Sequence, residues 1–201
     1  MKPLSDIDPI DTEALLLASQ THRKAAERIL HTLQLVEQWQ EYGTVEITGS
    51  YRWNLMLGSD IDFNVVNPAY DLELALQILN RFIRQGPFTR FAFIDTTQNK
   101  PIWADPETYP RGFYFGMAGD FEGREWKFET WLLGVPLPPQ DWILEQMTEQ
   151  KRGTILRLKH LRKTGMFKAG SVDIYRAVLL GDAHDPKSVE EWLAQEKMQK
   201  R

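Results

Sequence analysis

The 201-residue chain contains no cysteine, which excludes disulfides, thiol catalysis and any Cys-ligated zinc or iron–sulfur centre. Long apolar runs are also missing. The longest, Ala14 to Ala18, falls far short of the roughly 20 residues a membrane-spanning helix needs. The opening Met-Lys-Pro-Leu-Ser-Asp-Ile-Asp is polar and acidic and lacks the apolar centre of a signal peptide. Three phosphate or nucleophile signatures are absent: Gly-x-x-x-x-Gly-Lys-Ser/Thr, Gly-x-Gly-x-x-Gly and Gly-x-Ser-x-Gly. The four histidines (His22, His31, His160, His184) have no metal-ligand spacing. Together these absences set the expectation of a soluble, cytoplasmic globular protein with no membrane partner.

What is present is an ordinary globular composition, 42% hydrophobic and 26% charged, with a net charge of −4. That balance argues against a protein that coats nucleic acid. The charge is uneven, however. Residues 151–168 carry seven basic side chains (Lys151, Arg152, Arg157, Lys159, Arg162, Lys163, Lys168) and no acidic one, which leaves −11 on the remainder. Such a segment faces either solvent or a polyanion such as a triphosphate or RNA.

Hydrophobic periodicity predicts a long amphipathic helix from Asp11 to about Gln40, with Gly43 as its stop. Thr44–Thr48 alternates as a strand, Gly49-Ser50 ends it, and Tyr51–Leu57 reads as a short helix. Asp60–Val66 is the second strand, followed by a helix over Asp71–Arg84. Strands are expected at 89–95, 112–117 and 125–132, the last two joined by a turn around Gly119-Asp120 and Gly123. A polar, proline-bearing loop spans Thr96–Arg111, and its Trp103 is a candidate for lining an acceptor site. Beyond the Pro136–Pro139 stretch, helices are expected at 141–163, 171–180 and 188–198, with Ser171 and Ser188 as N-caps. The expected class is α+β: a small mixed or antiparallel sheet flanked by helices in residues 1–135, then a helical region in 136–201.

One constellation carries chemistry. A strand ends in Gly49-Ser50, nine residues intervene, and Asp60-Ile61-Asp62 opens the next strand. Period-2 alternation puts both carboxylates on one face, about 7 Å apart along the strand. That spacing suits two Mg²⁺ ions roughly 3.5–4 Å apart with shared carboxylate ligands. Gly49 permits close backbone approach to a phosphate, and Ser50 adds N–H and hydroxyl donors. A third acid, Glu129, lies on the later strand and shares a face with Lys127 and Trp131. If that strand pairs beside Asp60–Val66, three carboxylates converge. Arg52 could reach a phosphate or lie in solvent, and Lys127 could neutralise phosphate or pair with Glu129. Tyr175 could stack on a nucleotide base or pack in a core.

Thr48-Gly49-Ser50, Asp60-Ile61-Asp62 and Glu129 together resemble the signature of the polymerase-β-like nucleotidyltransferase superfamily. The resemblance covers about residues 44–133. Small bacterial nucleotidyltransferases of antibiotic-modifying type are similar in architecture, since they also carry a helical C-terminal part. The chain departs from the pattern in having Glu129 where Asp is commoner and Thr48 where an apolar residue is usual.

The resemblance implies Mg²⁺-dependent transfer of a nucleoside monophosphate from an NTP, ATP for preference, to a hydroxyl acceptor with release of pyrophosphate. Asp60, Asp62 and Glu129 would be the catalytic metal ligands. Gly49, Ser50, Arg52, Lys127 and Tyr175 would contact the nucleotide. A small, aminoglycoside-like acceptor fits the acidic balance. Transfer to a protein side chain or to RNA, and a nucleotide-binding regulator without catalysis, stand as alternatives. A homodimer is a further expectation of the resemblance.

Overall fold

The computed structural model describes residues 11–97 and 110–199. Trp103 and most of the expected 96–111 loop lie outside the described residues. The fold is α+β. Its elements are α1 (Thr12–Leu33), α2 (Leu35–Gln40), β1 (Thr44–Thr48), α3 (Gly49–Arg52), β2 (Asp60–Val66), α4 (Leu72–Gln85) and β3 (Arg90–Asp95), followed by β4 (Gly112–Phe121), β5 (Arg124–Leu133), α5 (Trp142–Glu145), α6 (Glu149–Lys163), α7 (Ser171–Gly181) and α8 (Pro186–Gln199).

Several boundaries differ from the periodicity reading, each for a local reason. The first helix is interrupted at Gln34, which adopts a left-handed backbone (φ 48°) and precedes α2. The short helix after β1 is Gly49–Arg52, so 53–58 is turn and coil rather than helix. The 141–163 stretch divides because the Thr148 side chain accepts from the Lys151 amide and begins α6 afresh. Neither expected serine cap is the N-cap residue. Helix α7 starts after Gly170, whose N–H donates to Asp173 Oδ2 at 3.0 Å. Helix α8 starts at Pro186, a favoured first helical position. There Asp185 accepts from the Ser188 amide at 2.7 Å, and Ser188 Oγ accepts from the His184 and Asp185 amides.

The chain divides into two compact units. One holds residues up to Arg23, Trp53–Gly58 and everything from Pro139; the other holds Lys24–Arg52 and Ser59–Pro138. The division therefore falls inside α1, and the 53–58 segment groups with the helical part of the chain.

The second unit is built on a five-stranded mixed sheet of order β1-β2-β5-β4-β3, in which only β2 and β5 run parallel. Alternation sorts the strands into two faces. Ile61, Phe63, Val65, Phe113, Phe115, Met117, Trp126, Phe128 and Leu132 are buried on one of them. Helices α2 and α4 cover that side, with the Trp39 ring 4.8 Å from Phe82 and 5.4 Å from Phe115. Residues 60, 62, 127 and 129 have the opposite parity and are exposed or half-buried. Strands β4 and β5 join through Glu122-Gly123, both at positive φ (52° and 74°), the geometry of a two-residue hairpin.

The first unit has its own core, including Leu15, Trp53, Leu55, Ile155, Leu158, Ile174, Tyr175 and Val178. The basic run of residues 151–168 belongs here and is largely occupied by backbone carbonyls. Arg152 donates to the carbonyls of Trp53 and Asn54 at 2.6 and 3.1 Å, Lys159 to Leu55 at 2.6 Å, and Lys163 to Leu57. Lys151 reaches the Leu179 carbonyl at 3.0 Å and Asp182 at 3.0 Å, Arg157 the His184 carbonyl, and Arg162 Ser171 Oγ at 3.0 Å. The segment that reads as a polyanion-facing stripe is mostly the donor set satisfying carbonyls outside regular structure. Among the described residues no helix is long and apolar enough to cross a membrane.

Candidate active site

The site begins with register. In the parallel β2–β5 ladder Asp62 pairs with Glu129 and Asp60 with Lys127, while Thr48 at the end of β1 pairs with Asp62 from the other side. Paired residues point to the same face, about 4.8 Å apart between strands. The open face therefore carries one row Thr48–Asp62–Glu129–Gly116 and a neighbouring row Asp60–Lys127–Ala118. The three carboxylates expected to share a face do so.

Gly49 closes one end of this row. Its φ is +65°, and a Cβ there would stand 1.8 Å from Asp62 Oδ2 and 2.8 Å from its Cγ. No side chain fits between the Gly49 backbone and the Asp62 carboxylate, so the glycine is required by that approach as well as by its backbone angle. Ser50 follows directly and is buried. Arg52, at the end of α3, forms an ion pair with Glu46 on β1, which ties α3 back to the strand it follows. It is thus held by a carboxylate, neither loose in solvent nor pledged to a ligand alone.

Lys127 does not pair with Glu129. Two residues apart on one strand, their side chains start about 7 Å apart, and among the described residues Lys127, Asp60 and Glu129 form no ion pair. The face therefore presents an ammonium and two carboxylates with their charges unspent. Asp62 is in contact with further groups.

Tyr175 belongs to the core of the first unit. It sits in α7 at 1% exposure, its ring edge-on to Trp53 at 5.6 Å and its hydroxyl accepting from Lys159 at 3.1 Å. Packed in this way it presents no ring surface to a base, and its role is in the core.

The face carries carboxylates, the oxygen ligands that hard divalent cations take. The side chains as they stand are spread: among the described residues no three His, Cys, Asp or Glu groups converge closely enough to hold an ion. Asp62 and Glu129 stand about 5 Å apart across the ladder and Asp60 about 7 Å from Asp62 along β2, which leaves Asp60 and Glu129 on the longer diagonal of about 8 Å.

Beside Glu129 the face continues into a groove of about 160 Å³ over β3, β4 and β5. Its floor is Ala92, Gly116 and Ala118, and Tyr114, Arg90 and Lys127 stand around it. The Tyr114 ring leans across Gly116, where a Cβ would meet the tyrosine hydroxyl at 3.0 Å. Motif spacing missed these residues because they lie on strands whose order is not written in the sequence. The available signal was the alternation in Gly112–Gly119, where Phe113, Phe115 and Met117 interleave with Gly112, Tyr114, Gly116 and Ala118.

The chain matches no protein-family model and no curated protein.

Proposed function

We propose that the protein is a metal-dependent nucleotidyltransferase, and the observation that carries this reading is the pairing of Asp62 with Glu129 beside the Gly49 backbone. The acceptor hydroxyl oxygen attacks the α-phosphorus of an NTP, ATP by preference. A new O–P bond forms, the bond from the α-phosphorus to the bridging oxygen breaks, and pyrophosphate leaves. Glu129 takes the hydroxyl proton or holds the acceptor oxygen toward the phosphorus. Asp60 and Asp62, with Glu129, are the groups that would hold Mg²⁺, which when bound neutralises charge on the phosphates. Gly49 and Ser50 offer backbone N–H groups and a hydroxyl to the leaving phosphates. Arg52 exchanges Glu46 for a phosphate oxygen. Lys127 adds positive charge to a face that is otherwise acidic. Most of the acceleration comes from positioning and charge stabilisation, as in phosphoryl transfer generally.

A second reading is favoured by one observation, the spread of the three carboxylates. A nucleotide-binding regulator would keep the phosphate contacts without a converged metal site. Incubation with α-labelled NTPs, Mg²⁺ and hydroxylated acceptors separates the two. The transferase reading expects pyrophosphate release that depends on Mg²⁺ and disappears in Asp62→Asn. Saturable NTP binding without pyrophosphate release under any acceptor supports the regulator, and full turnover in Asp62→Asn overturns the assignment.

A further inference from the structure

We propose that two copies of this chain associate weakly through the exposed side of α4, packed antiparallel. Two apolar faces run along this 14-residue helix. Ala75, Ile78 and Phe82 form one and are buried in the core. Leu72, Leu76, Leu79 and Ile83 form the other, spaced four, three and four residues apart, the interval of a coiled-coil seam. Leu79 is half-buried, while Leu72, Leu76 and Ile83 are 48%, 44% and 51% exposed. A single exposed leucine is ordinary, but a contiguous seam marks an interaction surface. Among the described residues no other helix carries three exposed large hydrophobics. Arg81 leaves the opposite side of the helix for Glu41 and Tyr42 just beyond α2, so the seam faces away from α2.

The occupant is a second copy because the charges beside the seam complement themselves when the helix is reversed. Glu73 in the first turn and Arg84 in the last lie on the same side of the seam, since eleven residues make about three turns. Both are exposed. Glu73 accepts from Gln77 at 3.2 Å and Arg84 donates to Asn80 at 2.9 Å, and neither has an ion-pair partner among the described residues. In an antiparallel pair about a twofold axis, Leu72 faces the partner's Ile83 and Leu76 faces the partner's Leu79. The same register brings Glu73 beside the partner's Arg84, and the symmetry repeats each contact. A parallel pair would set Glu73 beside the partner's Glu73 and Arg84 beside the partner's Arg84. Rim charges of this kind add little affinity but select orientation. One helix about 21 Å long covers less than a standard interface, so the dissociation constant is expected in the micromolar range or above. The inference gives the expected homodimer a surface and rests on no part of the nucleotidyl-transfer reading.

Sedimentation equilibrium of the full chain, from micromolar to submillimolar concentration, should show a reversible monomer–dimer step. Leu76→Glu, near the middle of the seam, should weaken that step at least tenfold, with circular dichroism and thermal unfolding showing the fold retained. The exposed charges supply a gentler test. Glu73→Arg and Arg84→Glu should each weaken the dimer about three- to tenfold, and the double variant should return to within about twofold of the wild type, because opposite charges face one another again. The lack of cysteine supplies a third, since any engineered thiol is the sole one in its chain. Under mild oxidation, Leu72→Cys mixed with Ile83→Cys should form the mixed disulfide faster than either variant links to itself. A monomer at every concentration, a dimer within twofold of the wild type in Leu76→Glu, no recovery in the double reversal, or preferential self-linkage of Leu72→Cys overturns the inference.

Discussion

Asp62 and Glu129 are partners across a parallel ladder, and that relationship decides what the acids of this chain can do together. Two carboxylates side by side repel one another unless a cation or a proton lies between them. The arrangement therefore has a cost that cation binding removes. On the nucleotidyltransferase reading, Asp62→Asn is expected to reduce pyrophosphate release by about a hundred- to a thousandfold, the scale seen when one stabilising group is lost from a site that works by electrostatics. The same variant should unfold at an equal or slightly higher temperature in the absence of metal, as like-charge repulsion is relieved. Steady-state pyrophosphate assays and thermal unfolding measured on one preparation check both halves.

Gly49 is tied to the same carboxylate. Gly49→Ala places a methyl group 1.8 Å from Asp62 Oδ2 at a positive φ, and should cost about 1–3 kcal/mol of stability. In an Asp62→Ala background the clashes with Oδ2 and Cγ are gone, leaving a tight 3.1 Å contact with the residue-62 Cβ and the backbone strain. Urea unfolding of the two single variants and the double variant should show coupling between the sites. Strict additivity would mean that the close approach has no energetic weight.

The Arg52–Glu46 pair predicts a competition. If Arg52 turns to phosphate when nucleotide arrives, Glu46→Gln should tighten Mg·ATP binding by about two- to fivefold, the modest scale of a half-exposed ion pair. Arg52→Ala should weaken it by more, since a charge-assisted phosphate contact is stronger. Isothermal titration of the three proteins reads this directly, and unchanged affinity in Glu46→Gln would leave Arg52 as a tether of α3.

Lys159 is 4% exposed and donates to the Leu55 carbonyl and the Tyr175 hydroxyl. Lys159→Met keeps the stem but removes the donor from both acceptors, an expected loss of about 1–3 kcal/mol. Lys168, exposed in the same basic run, should change stability by no more than about 0.5 kcal/mol when replaced in the same way. Equilibrium urea unfolding distinguishes them. RNA affinity with a steep salt dependence is not expected, because the cations that would produce it are donating to backbone carbonyls.

The start of α8 should respond to acid. Hydrogen bonds from the Ser188 amide and hydroxyl hold the Asp185 carboxyl below its ordinary value of 3.8. A depressed carboxylate stabilises the folded helix at pH values above the unfolded-state value, and that contribution is lost as pH falls through the still lower folded value. Ser188→Ala should move the Asp185 titration upward toward 3.8. The helix start should fray below that pH in the wild type and already around it in the variant. Side-chain carboxyl NMR of Asp185 gives the titration, and amide exchange at Ser188 gives the fraying.

Much of this molecule was legible before any tertiary structure. The alternation of Thr44–Thr48 and Asp60–Val66, the stripe of α4, the α+β class and the common face of Asp60 and Asp62 all follow from residue spacing, because strand and helix periods are local properties of the backbone. Gly49 reads from the motif as a place of close approach, and the neighbour it approaches is the Asp62 carboxylate. Helix ends were read less well. Gln34, Thr148, Gly170 and Asp185 set them through single backbone angles or one hydrogen bond, which periodicity averages over.

The rest depended on which strand lies beside which. That Glu129 stands against Asp62, that Lys127 stands apart from Glu129, and that Gly116 and Ala118 extend the acid rows into a groove are consequences of the order β1-β2-β5-β4-β3, set by non-local burial rather than by any local run of residues. The same holds for the basic segment and Tyr175. Their sequence shows charge and an aromatic ring, but only packing assigned the charges to the carbonyls of Trp53–Leu57 and the ring to a core. Residue types and spacing determined what chemistry this chain can carry; the sheet register and the packing of α6 decided where its charges are spent.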